Sequence, residues 1–340
     1  MSNRPAFIIT VDTEGDNEWS RPNPILTKNA AYLPRFQALC EEFGFKPTWL
    51  TNYEMATSPE FVRFGRDVLD RKAGEIGMHL HAWSSPPRRP LTYDDHATHP
   101  YLIEFPPEVM AEKVGFMTEL LQQQFGVKMV SHRAGRWAFD STYAKLLVEH
   151  GYLVDCSVTP HVSWRKTMGN PVGQGGSDYT NFPSKPYFLD LDHIDRAGTS
   201  TLLEVPPTIV KSRLSTIAPW AYRVRGVRRF AWRHEPPAAW IFPNGENLRH
   251  MLKCVRTGLA EKREHLEFVI HSSELMPAGS PRFTTEESIE NLYRDLGILF
   301  KEIARNFRGM TLKEFRASWG QEESAPRHEE HARRGARLSA

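Results

Sequence analysis

The sequence predicts an α/β protein built on a parallel sheet that closes, or nearly closes, into a barrel. Three observations carry that expectation. Seven short apolar runs of strand length, 6–12, 47–53, 75–81, 129–134, 152–157, 202–207 and 266–272, alternate with longer segments of helical period. The 340 residues are 40% hydrophobic and 25% charged, enough for a sizeable core. Asp12, Glu14, His79, His81, Arg133 and His271 all stand at the C-terminal ends of these runs, the rim at which parallel α/β folds bind substrates.

Along the chain, the first strand is the run from Ala6 to Val11, reached almost at once. A helix is expected over 31–43, with Pro34 in its first turn and Leu33, Phe36, Leu39 and Cys40 on one face. Further helices are expected over 108–125 and over 141–150, the latter capped by Asp140 or Ser141, and one over 284–306 completes the wall after the last strand. Residues 160–200, with Gly169, Pro171, Gly173, Gly175, Gly176, Pro183 and Pro186, are too long for a plain connection and suit an ordered loop over a site. Residues 211–233 place Lys211, Arg213, Arg223, Arg225, Arg228, Arg229 and Arg233 among Trp220, Tyr222, Phe230 and Trp232. That segment reads as a solvated, partly packed helical hairpin, or as a patch facing phosphate or a membrane surface for an anionic or lipid-linked substrate. The expected organisation is one barrel domain over 1–319 with insertions at about 160–200 and 211–245, then a polar, charged tail over 320–340 expected to be disordered.

Composition excludes several classes of function. A net charge of +2 supplies no global basic field, which argues against a nucleic-acid partner. Cys40, Cys156 and Cys254 are far apart and without CxxC spacing, so neither a disulfide framework nor a cysteine zinc site is expected. There is no apolar run of about 18 residues and no signal-like N-terminus, so the chain reads as a soluble cytoplasmic protein. The oligomeric state has no signature in the sequence.

The chemistry begins with Thr10-Val11-Asp12-Thr13-Glu14-Gly15. Residues two apart on a strand point the same way, so Asp12 and Glu14 offer paired carboxylates. One can hold a metal while the other takes a proton. In Met78-His79-Leu80-His81-Ala82-Trp83 an HxH pair puts two imidazoles on one strand face, a spacing suited to zinc or a similar borderline ion. His96 and His99, in a Pro-flanked stretch with no strand to aim them, are held as reserve ligands or substrate contacts. Ser131-His132-Arg133-Ala134-Gly135-Arg136-Trp137 ends a strand with two guanidinium groups, and an arginine there can lock a catalytic carboxylate, ionised and aimed. Val269-Ile270-His271-Ser272 delivers one histidine, which gains meaning if the closing sheet brings its strand beside the first.

Together these segments resemble the polysaccharide deacetylase family, the family 4 carbohydrate esterases that share the nodulation-protein deacetylase homology domain. The likeness spans roughly residues 6–275. Thr10–Gly15 resembles the family's first motif, Glu75–His79 its second, His132–Trp137 its third and Val269–Ser272 its last. The resemblance implies a distorted (β/α)7 barrel, a divalent metal, with zinc expected, and hydrolysis of an N-acetyl group from an amino sugar in a glycan or glycan precursor. Two departures mark a divergent branch. Thr13 separates two acids that are adjacent aspartates in the common motif, and Trp83 stands where the family's partner histidine falls, four residues after the first.

On this reading Glu14, His79 and His81 hold the metal. Asp12, steadied by Arg133, is the general base, His271 as imidazolium protonates the departing amine, and Arg136, Trp137 and Trp83 contact substrate. The shifted histidine spacing keeps open a hydrolase of a non-sugar amide or one that works without metal. A catalytically silent glycan-binding module is disfavoured, because binding alone has no need of a base, an acid and ligands together.

Overall fold

In the computed structural model, which describes residues 4–167, 169 and 175–322, eleven strands are present: β1 (Ala6–Thr13), β2 (Pro47–Thr51), β3 (Glu75–Leu80), β4 (Ser131–Ala134), β5 (Val154–Asp155), β6 (Tyr187–Phe188), β7 (Leu203–Glu204), β8 (Ile209–Lys211), β9 (Ala238–Trp240), β10 (His265–His271) and β11 (Arg308–Met310). Seven of them form a curled parallel sheet in the order β10-β1-β2-β3-β4-β5-β7, and these are the seven runs the sequence marks as strands. All eight residues of β1 are buried, as expected for a strand covered on both faces.

Side-chain alternation divides the core in two. On β1, Phe7, Ile9 and Val11 face the outer helices, while Ile8, Thr10 and Asp12 face the barrel interior. The outer cluster joins them to Phe36, Trp49, Val114, Leu121, Phe268 and Phe300. The interior is plugged at its N-terminal end by Ile8, Leu50, Cys156, Val205, Leu312 and Phe315, the last two from the helix Leu312–Glu322. β11 pairs with Ala6–Ile8 of β1, below the point at which β2 begins its own ladder at Ile9.

The barrel is not fully laced. β10 and β7 share no ladder; the gap is bridged by Thr208, whose amide donates to the Glu267 carbonyl at 3.4 Å and whose hydroxyl accepts from the Glu267 amide at 2.8 Å. Ile241 continues the bridge by accepting from the Val269 amide at 3.0 Å. β6 adds antiparallel to β7 at the far edge, and β8 with β9 makes a separate hairpin.

Helices Leu33–Glu42, Pro107–Phe125, Ser141–Glu149 and Glu286–Ala304 fall where the periodicity places them. Asp140 is the cap of the third, accepting from the Tyr143 amide at 2.8 Å, and Gly126 ends the second with a left-handed φ of 67°. The helices outside the expected ranges include Pro59–Asp70, which buries Phe61, Val62, Gly65 and Val68, and Leu248–Ala260, which buries Met251, Cys254, Val255 and Gly258. The basic segment folds as two short helices, Arg213–Ile217 and Arg225–His234, carried on the β8–β9 hairpin. The proposed tail begins inside a helix, since Leu312–Glu322 runs through Gly320; residues 323–340 lie outside the described residues. No described helix is long and apolar enough to cross a membrane.

Candidate active site

Register brings the site together. Asp12 pairs directly with His271 across β1–β10, and His79 with Arg133 across β3–β4. Asp12, His79, Arg133 and His271 share the inward phase of their strands, and Glu14 and His81 continue that phase just beyond the strand ends. All six line or underlie one cavity of about 1450 Å³ at the C-terminal mouth, a volume that exceeds an ordinary small-molecule pocket.

Arg133 is wholly buried and spans the barrel. Its Nη1 donates to Asp12 Oδ1 at 2.6 Å, and its Nη2 to Thr10 Oγ1 at 2.8 Å and to Glu267 Oε1 at 2.5 Å. Burial pushes the Asp12 carboxyl up, but Arg133 foremost, with His79 and His271, holds it below its usual value, so Asp12 stays ionised. For Glu267, burial prevails over Arg133 and lifts the carboxyl to about 7.

Glu14, His79 and His81 present one ligand atom each, all within 4.8 Å of one another. Oε2 of Glu14 lies 2.9 Å from His81 Nε2 and 3.7 Å from His79 Nε2. His79 donates from Nδ1 to the Arg133 carbonyl at 3.0 Å, which fixes the ring and turns Nε2 toward Glu14 and the cavity. Burial takes His81 down to about 4 against the pull of Glu14, and Glu14 itself lies far below the usual carboxylate range despite its burial, held there by His271, His79 and His81. A neutral His81 and an ionised Glu14 are the protonation states a divalent ion requires of such ligands. Gly135 belongs to this cradle: a Cβ there would meet the Leu80 carbonyl oxygen at 2.4 Å and His81 Nδ1 at 2.8 Å.

His271 closes the other side, with Nε2 3.8 Å from Asp12 Oδ2 and 4.0 Å from Glu14 Oε1. Its Nδ1 donates to Glu274 Oε2 at 3.2 Å, and Arg282 binds the other oxygen of Glu274 at 2.7 Å. Burial alone would lower the His271 pKa, yet Glu14, Glu274 and Asp12 lift it to about 9. Glu274 was not singled out in the sequence. Its signal was its place three residues after the histidine, where a tight turn returns the side chain to its neighbour.

Trp83 does not ligate. It lines the cavity, lies 4.3 Å from the His81 ring and stacks on His96 at 4.2 Å and 4°. His96 thus belongs to the wall, while His99, which bonds Thr98 at 3.1 Å, is not among the lining residues. Arg136 and Trp137 also line the cavity, on consecutive left-handed residues with φ of 54° and 62°. A non-glycine residue there costs on the order of 1–3 kcal/mol, so the turn after β4 holds both side chains under strain. Arg136 sits over the Tyr101 ring at 5.5 Å and Arg133 over Trp137 at 4.7 Å. The 160–200 loop contributes Trp164 and Thr167, and the β8–β9 hairpin contributes Trp240, 6.0 Å from Trp137. Of the basic segment, Arg229 reaches the cavity.

Glu18 and Trp19 are further wall residues that the sequence reading missed. Glu18 Oε1 accepts from the Gly15 amide and from Asn52, both at 3.0 Å, and burial with the nearby Glu14 and Glu54 raises its pKa well above normal.

No family model and no curated protein matches the chain. Solved structures do. A candidate glycoside hydrolase/deacetylase from Parabacteroides distasonis superposes with a TM-score of 0.60 at 11% identity, over 94% of this chain and 72% of that one. A candidate polysaccharide deacetylase from Mycobacterium smegmatis superposes with a TM-score of 0.52 at 16% identity, over 96% and 94%. The chain therefore has the barrel fold of polysaccharide deacetylases. At these identities the architecture is held in common, while the sequence stands far off.

Proposed function

We propose that the protein is a metal-dependent deacetylase that removes the N-acetyl group of an amino sugar. The observation that carries this reading is the convergence, at one cavity mouth, of a Glu14–His79–His81 ligand set with an ionised Asp12 on one flank and a His271 that favours the imidazolium on the other. The ligand set fits a divalent ion in number, spacing and donor chemistry, with zinc expected from two imidazoles and a carboxylate. Such an ion would polarise the acetyl carbonyl and lower the pKa of water beside it.

The rest of the work falls to the chain. Asp12 accepts the proton of the attacking water, and Arg133 keeps its carboxylate ionised and aimed. His271 gives its Nε2 proton to the nitrogen as the C–N bond breaks, which releases acetate and a free amine. Glu274 holds the imidazolium by its Nδ1 proton. Aromatic faces from Trp19, Trp137 and Trp240 line a cleft wide enough for a sugar and its neighbours.

The test is elemental analysis of purified wild type and His79→Ala, with acetate release from N-acetylated oligosaccharides measured on the same samples. Stoichiometric metal and acetate release in the wild type, both lost in the variant, is the expected result. Full hydrolysis by metal-stripped protein would sink the mechanism.

A further inference from the structure

We infer that the cavity carries an anion subsite to which Arg21, Arg136 and His96, all on its wall, contribute, and which selects a sugar bearing a phosphate or carboxylate over its neutral counterpart. The inference rests on the deacetylase reading for the identity of the ligand as a sugar, but not for the subsite itself.

Three observations converge. First, among the described residues neither Arg21 nor Arg136 forms an ion pair with an acidic side chain, although both line the cavity. The carboxylates that share the cavity are engaged elsewhere: Asp12 by Arg133, Glu14 by the histidines, and Glu18 by Gly15 and Asn52. Glu246 is exposed in its own turn, where its amide bonds Asn244.

Second, the half-buried His96 ring shares the cavity wall with both guanidinium groups. His96 is brought down to about 4 by burial first, then by the positive fields of His81, Arg136 and Arg21, with Asp94 opposing. Two guanidinium groups without a paired carboxylate on one cavity wall leave a local excess of positive potential, which an anion would relieve. At neutral pH the His96 imidazole is uncharged and keeps one N–H to donate.

Third, the pocket is built rather than draped. Arg136 is carried on a left-handed backbone with φ of 54° and braced over Tyr101, Arg21 is likewise left-handed with φ of 52°, and His96 is fixed face to face on Trp83. Strained backbone held in place at a cavity wall is a mark of a positioned binding group. Each guanidinium offers a planar, bidentate fork to a phosphate or carboxylate.

The experiment uses full-length, metal-loaded protein and the fluorescence of the cavity tryptophans to titrate matched probes. N-acetylglucosamine 1-phosphate is compared with N-acetylglucosamine, and a hyaluronan tetrasaccharide, whose charges are carboxylates, with chitotetraose. The expected result is a charged probe bound about tenfold or more tighter than its neutral match, with the advantage shrinking as salt rises. Whether the phosphate or the carboxylate pair shows the larger ratio assigns the source of the charge. In Arg21→Gln and in Arg136→Gln the ratio falls toward one; should the strained turn not tolerate the second change, the exposed Arg21 carries the test alone.

A ratio near one in the wild type, or a ratio unchanged in Arg21→Gln, overturns the subsite. Acetate release separates the two readings. Charge-selective binding without hydrolysis would leave the subsite standing and remove the deacetylase, and hydrolysis without charge selectivity would do the reverse.

Discussion

The rim formed by β1–β4 and the β8–β9 hairpin with its helices face each other across one cavity, and they are built in opposite ways. On the rim, Asp12, Glu14, His79, His81 and Arg133 are each at most 5% exposed, and each is tied to a neighbour by a strand register or a charge-assisted bond. On the hairpin side, Trp220 and Phe230 are 58% and 66% exposed, and the helix Arg225–His234 shows its residues to solvent from Arg225 to Phe230. The groups proposed to make and break bonds stand where geometry is over-determined. The groups that would meet the distant parts of a substrate stand where the chain can change without disturbing the core.

The contrast predicts a descending order of effects. The largest belongs to His79→Ala, which should bring bound metal and turnover to background together. Asp12→Asn should leave metal in place and lower turnover by about 10²- to 10⁴-fold, the usual worth of a positioned general base. Elemental analysis beside acetate release distinguishes them. Metal lost from Asp12→Asn would mean that the two carboxylates do not divide the labour.

Next comes Arg133→Met. It removes a buried cation from between Asp12, Thr10 and Glu267 and leaves carboxylates unpaired, a change that typically costs about 3–5 kcal/mol. Denaturant unfolding measures that loss. Any activity that survives should show its acid limb at higher pH, because Asp12 without the guanidinium regains a proton more readily. An unchanged limb would separate Arg133 from the base.

Much of this rim was legible from residue order alone, because a strand's period of two tells which side chains share a face, and alternate positions on four strands held the polar groups. The seven parallel strands were legible for the same reason. What escaped depends on contacts that no local period encodes. Thr208 and Ile241 bridge the seam between β7 and β10 from a connection with no strand signature of its own. Trp240 reaches Trp137 only because β8 and β9 pair as a hairpin. The helix Pro59–Asp70 is a different case: Ser58-Pro59 followed by Phe61, Val62, Gly65 and Val68 is a start signal and an apolar stripe, readable in principle. Where Trp83 stands in place of the family's partner histidine, the structure brings His81 to Glu14.

A smaller effect is expected at the junction of the two regions, where His271 meets Glu274. A histidine whose folded pKa is raised to about 9, above its ordinary 6.5, adds stability that is fully present below about pH 6.5 and lost as pH climbs through 9. Metal-free protein should therefore lose thermal stability over that window. In Glu274→Gln the loss should be smaller and complete at lower pH, and NMR titration of His271 should show its pKa reduced. A His271 titration unmoved by Glu274→Gln would leave Glu14 and Asp12 as its whole support.

The smallest effect tests the soft side of the comparison. Arg229 lines the cavity from an exposed helix, so Arg229→Gln should change unfolding free energy by no more than about 0.5 kcal/mol. Any contact it makes with a substrate is solvated, and an exposed charge contact is worth under about 1 kcal/mol, or about fivefold in Kd. The change should be felt by a tetrasaccharide, which reaches the hairpin wall, and not by a monosaccharide seated at the rim. If Arg229→Gln instead destabilised the protein by more than 1 kcal/mol, the hairpin would be part of the barrel's load path, and the division between a rigid chemical rim and a yielding recognition wall would fail at its weakest point.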